Sequence, residues 1–321
     1  AMVDGEDSQL PLHVIQAHII PRLDGATLAA TACAASHFKQ ITADDLLWET
    51  VCLSTWPSAS DTRVRHAVSA FPDKFKSFFS DAQPLVRNSM SGKPPKLQAF
   101  LPTTLVTAVD VYYKQSHIFS KVAEIEVDQN EAISWGSFNV DLMDAKEFVR
   151  AEDQKDTWLR EVEENATLSW IVIDPAIGRA VNLSSQRAVV AQRHWLTGDV
   201  QLRFAVVLES GQRWTEWGAT VTFSGGSNGE EVLVKEAFLS MEAMGISGRD
   251  GLLMLREAMV EGRRIRRRFK VDWKKVSDEF SEKKELWRLR KKRREKVIDT
   301  AFIFLGFFIV LTFWLWLFCF V

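Results

Sequence analysis

The sequence predicts an α+β protein with a helical N-terminal module, a β-rich region resembling an antiparallel sandwich, and a terminal transmembrane helix. Apolar residues recur at helical spacing in the first 57 residues and alternate at period two between about 104 and 246. No charged residue occurs from Ala301 to Val321. These patterns predict five segments, with boundaries at 1–57, 58–103, 104–246, 247–296 and 297–321.

The N-terminal segment has the pattern of three short amphipathic helices. The first carries one apolar stripe over about three turns, at Pro11, Val14, Ile15 and Ile19. Pro21 disfavours further helix, Asp24 can cap a second helix that carries Leu28, and a third includes Trp48. Because a unit of roughly 45 residues cannot bury this apolar surface alone, the stripe predicts a binding partner.

This pattern resembles the F-box, the helical module by which substrate receptors dock on the Skp-type adaptor of a cullin–RING ubiquitin ligase. The resemblance implies these adaptor-binding residues: Leu10, Pro11, Val14, Ile15, Ile19, Leu23, Leu28, Phe38 and Trp48. One residue is added between Pro11 and Leu23, and Ala34 to Phe38 lacks the usual lysine and has phenylalanine for tryptophan. Periodicity alone would also fit an ordinary helical core segment, but the ordered motif positions favour the F-box.

The net charge of −2 conceals an uneven distribution. Residues 263–296 hold 17 Lys/Arg against 6 Asp/Glu, whereas residues 1–262 hold 23 against 35. Nucleic-acid binding is not expected, because the body is acidic and few aromatic residues interleave with the basic ones. The three cysteines, Cys33, Cys52 and Cys319, form no disulfide framework, which indicates a reducing compartment.

The 21 uncharged residues from Ala301 are long enough to cross a bilayer as a helix. The membrane-proximal basic residues Lys291, Lys292, Arg293 and Arg294 precede them. Positive flanks stay cytoplasmic, so we expect a tail anchor with the body in the cytosol or nucleoplasm, at the endoplasmic reticulum or nuclear envelope. The run from Arg263 to Arg268 fits a nuclear localisation patch, an anionic-lipid contact or a solvated helix face.

The β-rich region is predicted from alternating runs such as Val200 to Leu208 and Trp217 to Phe223, and we expect it to fold independently of the F-box as a recognition domain. Asp144 to Asn165 is an acidic insertion expected to form a loop or short helix, and Ser247 to Asp250 predicts a capping box. Several segments resemble a plant-specific F-box group: Leu168 to Pro175, Ala180 to Ser185, Gln192 to Gly198 and Gly245 to Asp250. With the terminal apolar run, the whole chain resembles the cytokinin-induced F-box subgroup.

No residue pattern predicts catalysis, a metal or a cofactor. Gly225 to Gly229 matches G-x-S-x-G, but an alternating run follows it where a nucleophile elbow needs a helix. The six histidines lack metal-ligand spacing. Trp170, His194 and Trp195 could line a recognition pocket, although an alternating tryptophan is commonly a core residue.

The resulting hypothesis is a membrane-anchored, non-catalytic substrate receptor of a Skp–cullin–F-box ubiquitin ligase. Its expected partners are a Skp-family adaptor, a cullin bound through that adaptor, an unknown protein substrate and the lipid bilayer. The alternatives are a membrane scaffold that acts outside a ligase and a membrane-bound hydrolase.

Overall fold

The computed structural model describes residues 12–84, 89–90, 101–127, 137–141, 156–194, 197–211, 213–225, 232–262 and 271–320. Contacts divide the chain into two units, Ala1–Lys274 and Lys275–Val321. The first unit combines short helices with two sheets, and the second is helical. The described elements confirm the predicted α+β class.

The N-terminal part of the first unit is helical. Its elements are Leu12–Val14 (α1), a π-helical turn Ile15–Ile19, a 3-10 turn Ile20–Arg22, Gly25–Ala34 (α2), Ser36–Ile41 (α3), Asp45–Thr55 (α4), a 3-10 turn Pro57–Ser60, Thr62–Val68 (α5) and Lys74–Asp81 (α6). Three aspartates, Asp24, Asp44 and Asp61, accept hydrogen bonds from N–H groups at the starts of α2, α4 and α5. We refer to residues 12–84 as the helical module.

Ten strands follow in the described part of the chain. They are Ser89–Met90 (β1), Thr104–Tyr113 (β2), Ser116–Glu126 (β3), Ser137–Asp141 (β4), Ala166–Asp174 (β5), Arg179–Asn182 (β6), Val190–Arg193 (β7), Val200–Ser210 (β8), Arg213–Ser224 (β9) and Leu233–Ala243 (β10). The first sheet has the order β3-β2-β5-β6 and is antiparallel throughout. The second has the order β1-β8-β9-β10-β4, with β7 also paired to β8, and only its two-residue β1 pairs in parallel.

One hydrophobic cluster joins the helical module to the first sheet. The module contributes aliphatic side chains and six aromatic ones, Trp48, Trp56, Phe71, Phe75, Phe78 and Phe79. The sheet contributes Val106, Ala108, Val122, Ile171, Ile173 and Ala180. Ring centroids lie 5.5 Å apart for Trp56 and Phe79 and 5.9 Å apart for Trp56 and Phe78. The helical module therefore covers one face of the sheet, which argues against the independent folding expected for the β-rich region.

Polar contacts cross the same boundary. Buried Asp110 on β2 accepts hydrogen bonds from the Ser58 N–H (2.9 Å), the Ser58 hydroxyl (2.6 Å) and the Ser120 hydroxyl (2.9 Å). The Arg179 Nε donates to Asp81 Oδ2 at 2.7 Å, and the Tyr112 hydroxyl donates to the Thr55 carbonyl. Burial raises the pKa of Asp110, while its serine donors and His117 oppose that shift. Removing one partner would leave a buried polar group without a hydrogen bond. These contacts therefore fix the position of the helical module on the first sheet.

Two further helices lie against both sheets. The described end of the acidic insertion is the helix Asp156–Asn165 (α7), which buries Trp158 and Val162 and contacts β2, β7 and β8. The helix Gly248–Glu261 (α8) contacts β6, β8 and β10, and it begins with the predicted capping box of Ser247 and Asp250.

The second unit consists of most of the 48-residue helix Trp273–Phe320 (α9). At 1.5 Å per residue, α9 is about 72 Å long. It continues without a break from the basic residues into the apolar run, and residues 301–316 are exposed along it. The predicted terminal helix is therefore present up to Phe320.

We expect Gly178→Ala to destabilise the protein more than Gly198→Ala. Both glycines have positive φ, +59° and +75°, so both substitutions carry the backbone strain of a side chain in that region, about 1–2 kcal/mol. At Gly178, in the β5–β6 turn, a Cβ would lie 2.4 Å from the Ala70 carbonyl oxygen of the helical module, whereas nothing lies within 4 Å at Gly198. Overpacking should add about 1–3 kcal/mol at Gly178, measured by urea unfolding. If the two variants lose the same free energy of unfolding, the close contact between this turn and the helical module is wrong.

Candidate functional site

The predicted docking segment begins with an irregular helix. Leu10 and Pro11 lie outside the described residues. The Ile20 N–H donates to the Ile15 carbonyl, five residues back, which closes the π-helical turn. Pro21 has no N–H with which to continue the helix, so the chain ends in the 3-10 turn Ile20–Arg22. Residues 16–19 are exposed along this widened turn, where a partner could reach them.

Two large apolar side chains of the helical module are exposed to solvent. Ile19 is 39% exposed and Leu46 is 68% exposed. Val14, Ile15, Leu23 and Phe38 are half-buried, and Ile15 and Leu23 also pack against the hydrophobic cluster. Single exposed apolar side chains are common on protein surfaces, so it is the position of Ile19 and Leu46 in the motif segment that makes them candidates for contact with a partner.

Leu28 and Trp48 are buried in the module itself. Leu28 is 1% exposed, and Trp48 is 2% exposed with its indole N–H donating to the Thr42 carbonyl at 2.7 Å. The Trp48 ring lies 5.3 Å from that of Phe79, measured between centroids. These two predicted contact residues therefore hold α2 and α4 in place, because their side chains already have partners inside the chain.

Leu46 is the exposed apolar residue that the motif comparison missed. Trp48 and Cys52 are four residues apart on the inward face of α4, so a residue two positions before Trp48 points away from the core. Asp44 caps the helix by accepting from the Leu46 N–H at 3.0 Å, which places Leu46 in the first turn. The signal was therefore present in the helical spacing.

The predicted recognition residues of the β-rich region do not form one pocket among the described residues. Trp170 is 0% exposed, and its indole N–H donates to the Thr107 hydroxyl at 2.6 Å, so it is part of the core. His194 is half-buried, with its Nδ1 3.2 Å from the Thr197 hydroxyl oxygen. Trp195 lies outside the described residues.

An open cleft of about 530 Å³ lies between the helical module and the first sheet. Its lining includes Arg63 and His66 from α5, Thr104 and Glu124 from the sheet, and Pro175 from the β5–β6 turn. The Arg63 guanidinium binds Asp61 through two hydrogen bonds of 3.0 and 2.8 Å, and this contact raises the pKa of Arg63. The cleft thus combines charged side chains with apolar ones such as Ala67 and Val106 where the module and the sheet meet.

The second unit supplies the candidate membrane segment. Among the described residues, α9 is the one helix long and apolar enough to cross a bilayer. Lys291, Lys292, Arg293 and Arg294 are exposed on it, ahead of the apolar run. Arg263 to Arg268 lies outside the described residues, so its three interpretations stay open.

The described residues contain no cluster of His, Cys, Asp and Glu that could hold a metal ion. Ser227 of the nominal G-x-S-x-G pattern lies outside the described residues. Burial raises the pKa of the Cys52 thiol, which keeps this buried side chain protonated and unreactive.

Sequence comparisons find relatives along almost the whole chain. An F-box protein of Arabidopsis thaliana is 34% identical, and the alignment covers 96% of each chain. A probable F-box protein of the same plant is 38% identical over 94% of this chain and 92% of its own. A third Arabidopsis F-box protein is 34% identical over 90% of this chain and 84% of its own. No family model and no solved structure matches.

Substitution to alanine should separate the exposed position from the buried one. We expect Leu28→Ala to lower the free energy of unfolding by about 2–5 kcal/mol, because it opens a cavity beside the aromatic cluster. Ile19→Ala should change it by about 0.5 kcal/mol or less, because the side chain is already partly in water. Urea unfolding followed by tryptophan fluorescence measures both. A similar loss for the two variants would show that Ile19 is a core residue.

Proposed function

The chain belongs to the plant F-box proteins, and from that premise we propose that it is a membrane-anchored substrate receptor of a Skp–cullin–F-box ubiquitin ligase. The observation that carries the proposal is the identity of 34–38% to F-box proteins over at least 90% of the chain. The helical module binds the adaptor, the β-rich region holds the target, and α9 attaches the chain to a membrane. The cullin joins through the adaptor.

The docking surface combines the motif residues with the exposed side chains of the module. Ile19 and Leu46 provide apolar area without being needed for packing inside the chain. Val14, Ile15, Leu23 and Phe38 add their exposed edges, and Leu10 and Pro11 begin the motif. Leu28 and Trp48 contribute indirectly, because they hold the helices on which this surface lies.

The chain acts by proximity and supplies no catalytic residue. A target bound to the β-rich region is held near the ubiquitin-loaded enzyme, which raises its effective concentration there. The common core of the module and the first sheet favours this role, because a target on the sheet stays at a fixed distance from the adaptor. The cleft lined by Arg63, His66 and Glu124 is the surface we favour for the target.

Membrane attachment rests on α9 and on the order of charge along it. The 17 basic residues of 263–296 precede the apolar run, and basic flanks remain on the cytoplasmic side. The body, which contains the docking surface, would then face the compartment where cullin ligases assemble. We place the anchor in the endoplasmic reticulum or the nuclear envelope.

We expect Ile19→Asp and Leu46→Asp each to weaken binding to a Skp-family adaptor, because a carboxylate would replace a buried apolar contact. A loss of about 2 kcal/mol, roughly 30-fold in Kd, is the size expected of an interface anchor. Leu233→Asp is the matched control, because Leu233 is 58% exposed at the start of β10, outside the module. Biolayer interferometry with purified adaptor measures all three.

The assignment of the docking surface fails if Ile19→Asp, Leu46→Asp and the double substitution Leu10→Ala/Pro11→Ala all bind like the unchanged chain. A different result would favour the scaffold alternative. In that case the variants lose adaptor binding, but ubiquitination of the target is the same with and without the chain.

A new glycosylation site should report which side of the membrane the body occupies. Of the two natural sequons, Asn182 is 1% exposed and Asn165 donates to the Glu161 carbonyl at 2.8 Å, so neither is a good acceptor in the folded chain. Lys114→Asn creates Asn-Gln-Ser at the exposed β2–β3 turn, where φ is 49° and asparagine is well tolerated. We expect no sugar on this variant in cells.

Two controls make that result informative. A sequon appended after Val321 should gain an endoglycosidase-sensitive sugar, and the Lys114→Asn body directed to the lumen by a signal peptide should gain one too. Sugar on the Lys114→Asn chain without a signal peptide would place the body in the lumen and exclude contact with a cytosolic ligase.

A further inference from the structure

A collar of basic side chains surrounds α9 just before the apolar run. Its members are Arg288, Arg290, Lys291, Lys292, Arg293, Arg294 and Lys296, and all are exposed. Successive residues of an α-helix are rotated by about 100°, so these seven positions leave no gap wider than about 60° around the axis. The positive charge therefore faces outward in every direction, in contrast to a one-sided stripe.

The collar has almost no acidic partners of its own. Within the described part of the chain, its single ion pair joins Lys291 Nζ to Glu295 Oε1 at 4.0 Å, and both side chains are more than half exposed. Lys291 Nζ also lies 5.5 Å from the centroid of the Trp287 ring. Seven basic residues against one glutamate leave a net charge of +6 over residues 288–296, most of which has no acidic partner on the same stretch of helix.

One end of the collar lies at the headgroup layer of a bilayer, and the other end, at Arg288, lies 13 residues or about 20 Å before Ala301. Lys296 lies five residues before Ala301, about 7.5 Å along the axis, and the headgroup region adds about 5–8 Å to each side of the hydrocarbon. Trp287 is 38% exposed and lies 14 residues or about 21 Å before Ala301, so it is beyond the headgroup layer. Because α9 is unbroken, Lys291 to Arg294 lie about 11–15 Å before Ala301, which is within a Debye length of about 10 Å from the headgroup layer.

We propose that the collar binds the headgroups of anionic lipids around the helix and thereby gives the chain a preference for anionic leaflets. A helix lying flat on a membrane has its cations on one side, whereas a helix crossing the headgroup layer is surrounded by headgroups. Arginine guanidinium groups match phosphate oxygens in a two-point geometry, and lysines add charge. The inference rests on the proposed membrane anchoring.

Lipid headgroups fit this site better than nucleic acid. Recognition of single strands uses aromatic side chains on which bases stack, and Trp287 is the one aromatic residue next to the collar. The exposed apolar surface that follows, including Phe302, Ile303 and Phe304, could not remain in water beside a bound RNA.

The test is electron spin resonance of the full chain reconstituted in phosphatidylcholine vesicles with trace spin-labelled lipid. The measured quantity is the fraction of labelled lipid whose motion is restricted at the protein surface, and it is compared between labelled phosphatidylserine and labelled phosphatidylcholine. We expect the serine lipid to associate several-fold more strongly in about 0.1 M salt and to lose this preference in about 1 M salt, where the Debye length falls to about 3 Å.

The collar variant carries Lys291→Gln, Lys292→Gln, Arg293→Gln and Arg294→Gln and should lose the preference. The control variant carries Lys274→Gln, Lys275→Gln, Lys283→Gln and Lys284→Gln, which remove the same charge from the same helix. Its nearest change, at Lys284, is 17 residues before Ala301, about 26 Å away and beyond the Debye length of about 10 Å. It should keep the preference.

The outcomes separate the two proposals. If neither lipid is slowed, α9 does not span the bilayer and the membrane anchor fails. If both lipids are slowed equally, or if the collar variant keeps the preference, the anchor stands and the anionic-lipid site is overturned. Loss of the preference on adding a short single-stranded RNA at matched ionic strength would also overturn it, in favour of nucleic acid.

Discussion

The hydrophobic cluster between the helical module and the first sheet is the contact on which the rest of the first unit depends. Trp56 and Phe78 are almost fully removed from water there, and the sheet residues Ile171 and Ile173 are fully buried in the same cluster. The buried carboxylate of Asp110 is tolerable only because Ser58 and Ser120 lie within hydrogen-bond distance once the cluster has formed. A change in the cluster would therefore disturb the docking helices and the sheet together, and loss of function after such a change would not identify a binding residue.

The N-terminal motif combines two physical roles in one short stretch. Leu28 and Trp48 face inward and set the spacing of the helices, whereas Ile19 and Leu46 face outward and leave apolar area exposed to solvent. A motif defined by residue type alone cannot separate these roles, since leucine and isoleucine serve both. The distinction comes from the direction of each side chain relative to the core. In α4, Leu46 is two positions before Trp48, which rotates its side chain to nearly the opposite face of the helix.

Local patterns in the sequence were sufficient to predict the helical character of the N-terminal segment, most of the strands, the capping box at Ser247 and the terminal helix, but not the short strands Ser89–Met90 and Ser137–Asp141. They did not predict that α5 and α6 cover the first sheet, because that packing joins residues far apart in the chain, such as Ser58 and Asp110. Trp170 illustrates the same limit. Alternation in the sequence places it on one face of a strand, but only the folded structure shows that this face is buried. The exposure of Leu46 follows from its spacing to Trp48, but the sequence prediction considered the motif residues and not that spacing.

The contact between Asp81 and Arg179 joins residues that are 98 positions apart, and it has a consequence for how the protein is made. Chains grow at about 5–20 residues per second, so the N-terminal helices leave the ribosome roughly 5–20 seconds before the strands that cover their aromatic side chains. During that interval Phe78 and its neighbours face water in a crowded solution, where nascent chains aggregate. Chaperone capture of the emerging N-terminal region, released once β6 has been synthesised, would shorten this vulnerable period of biogenesis.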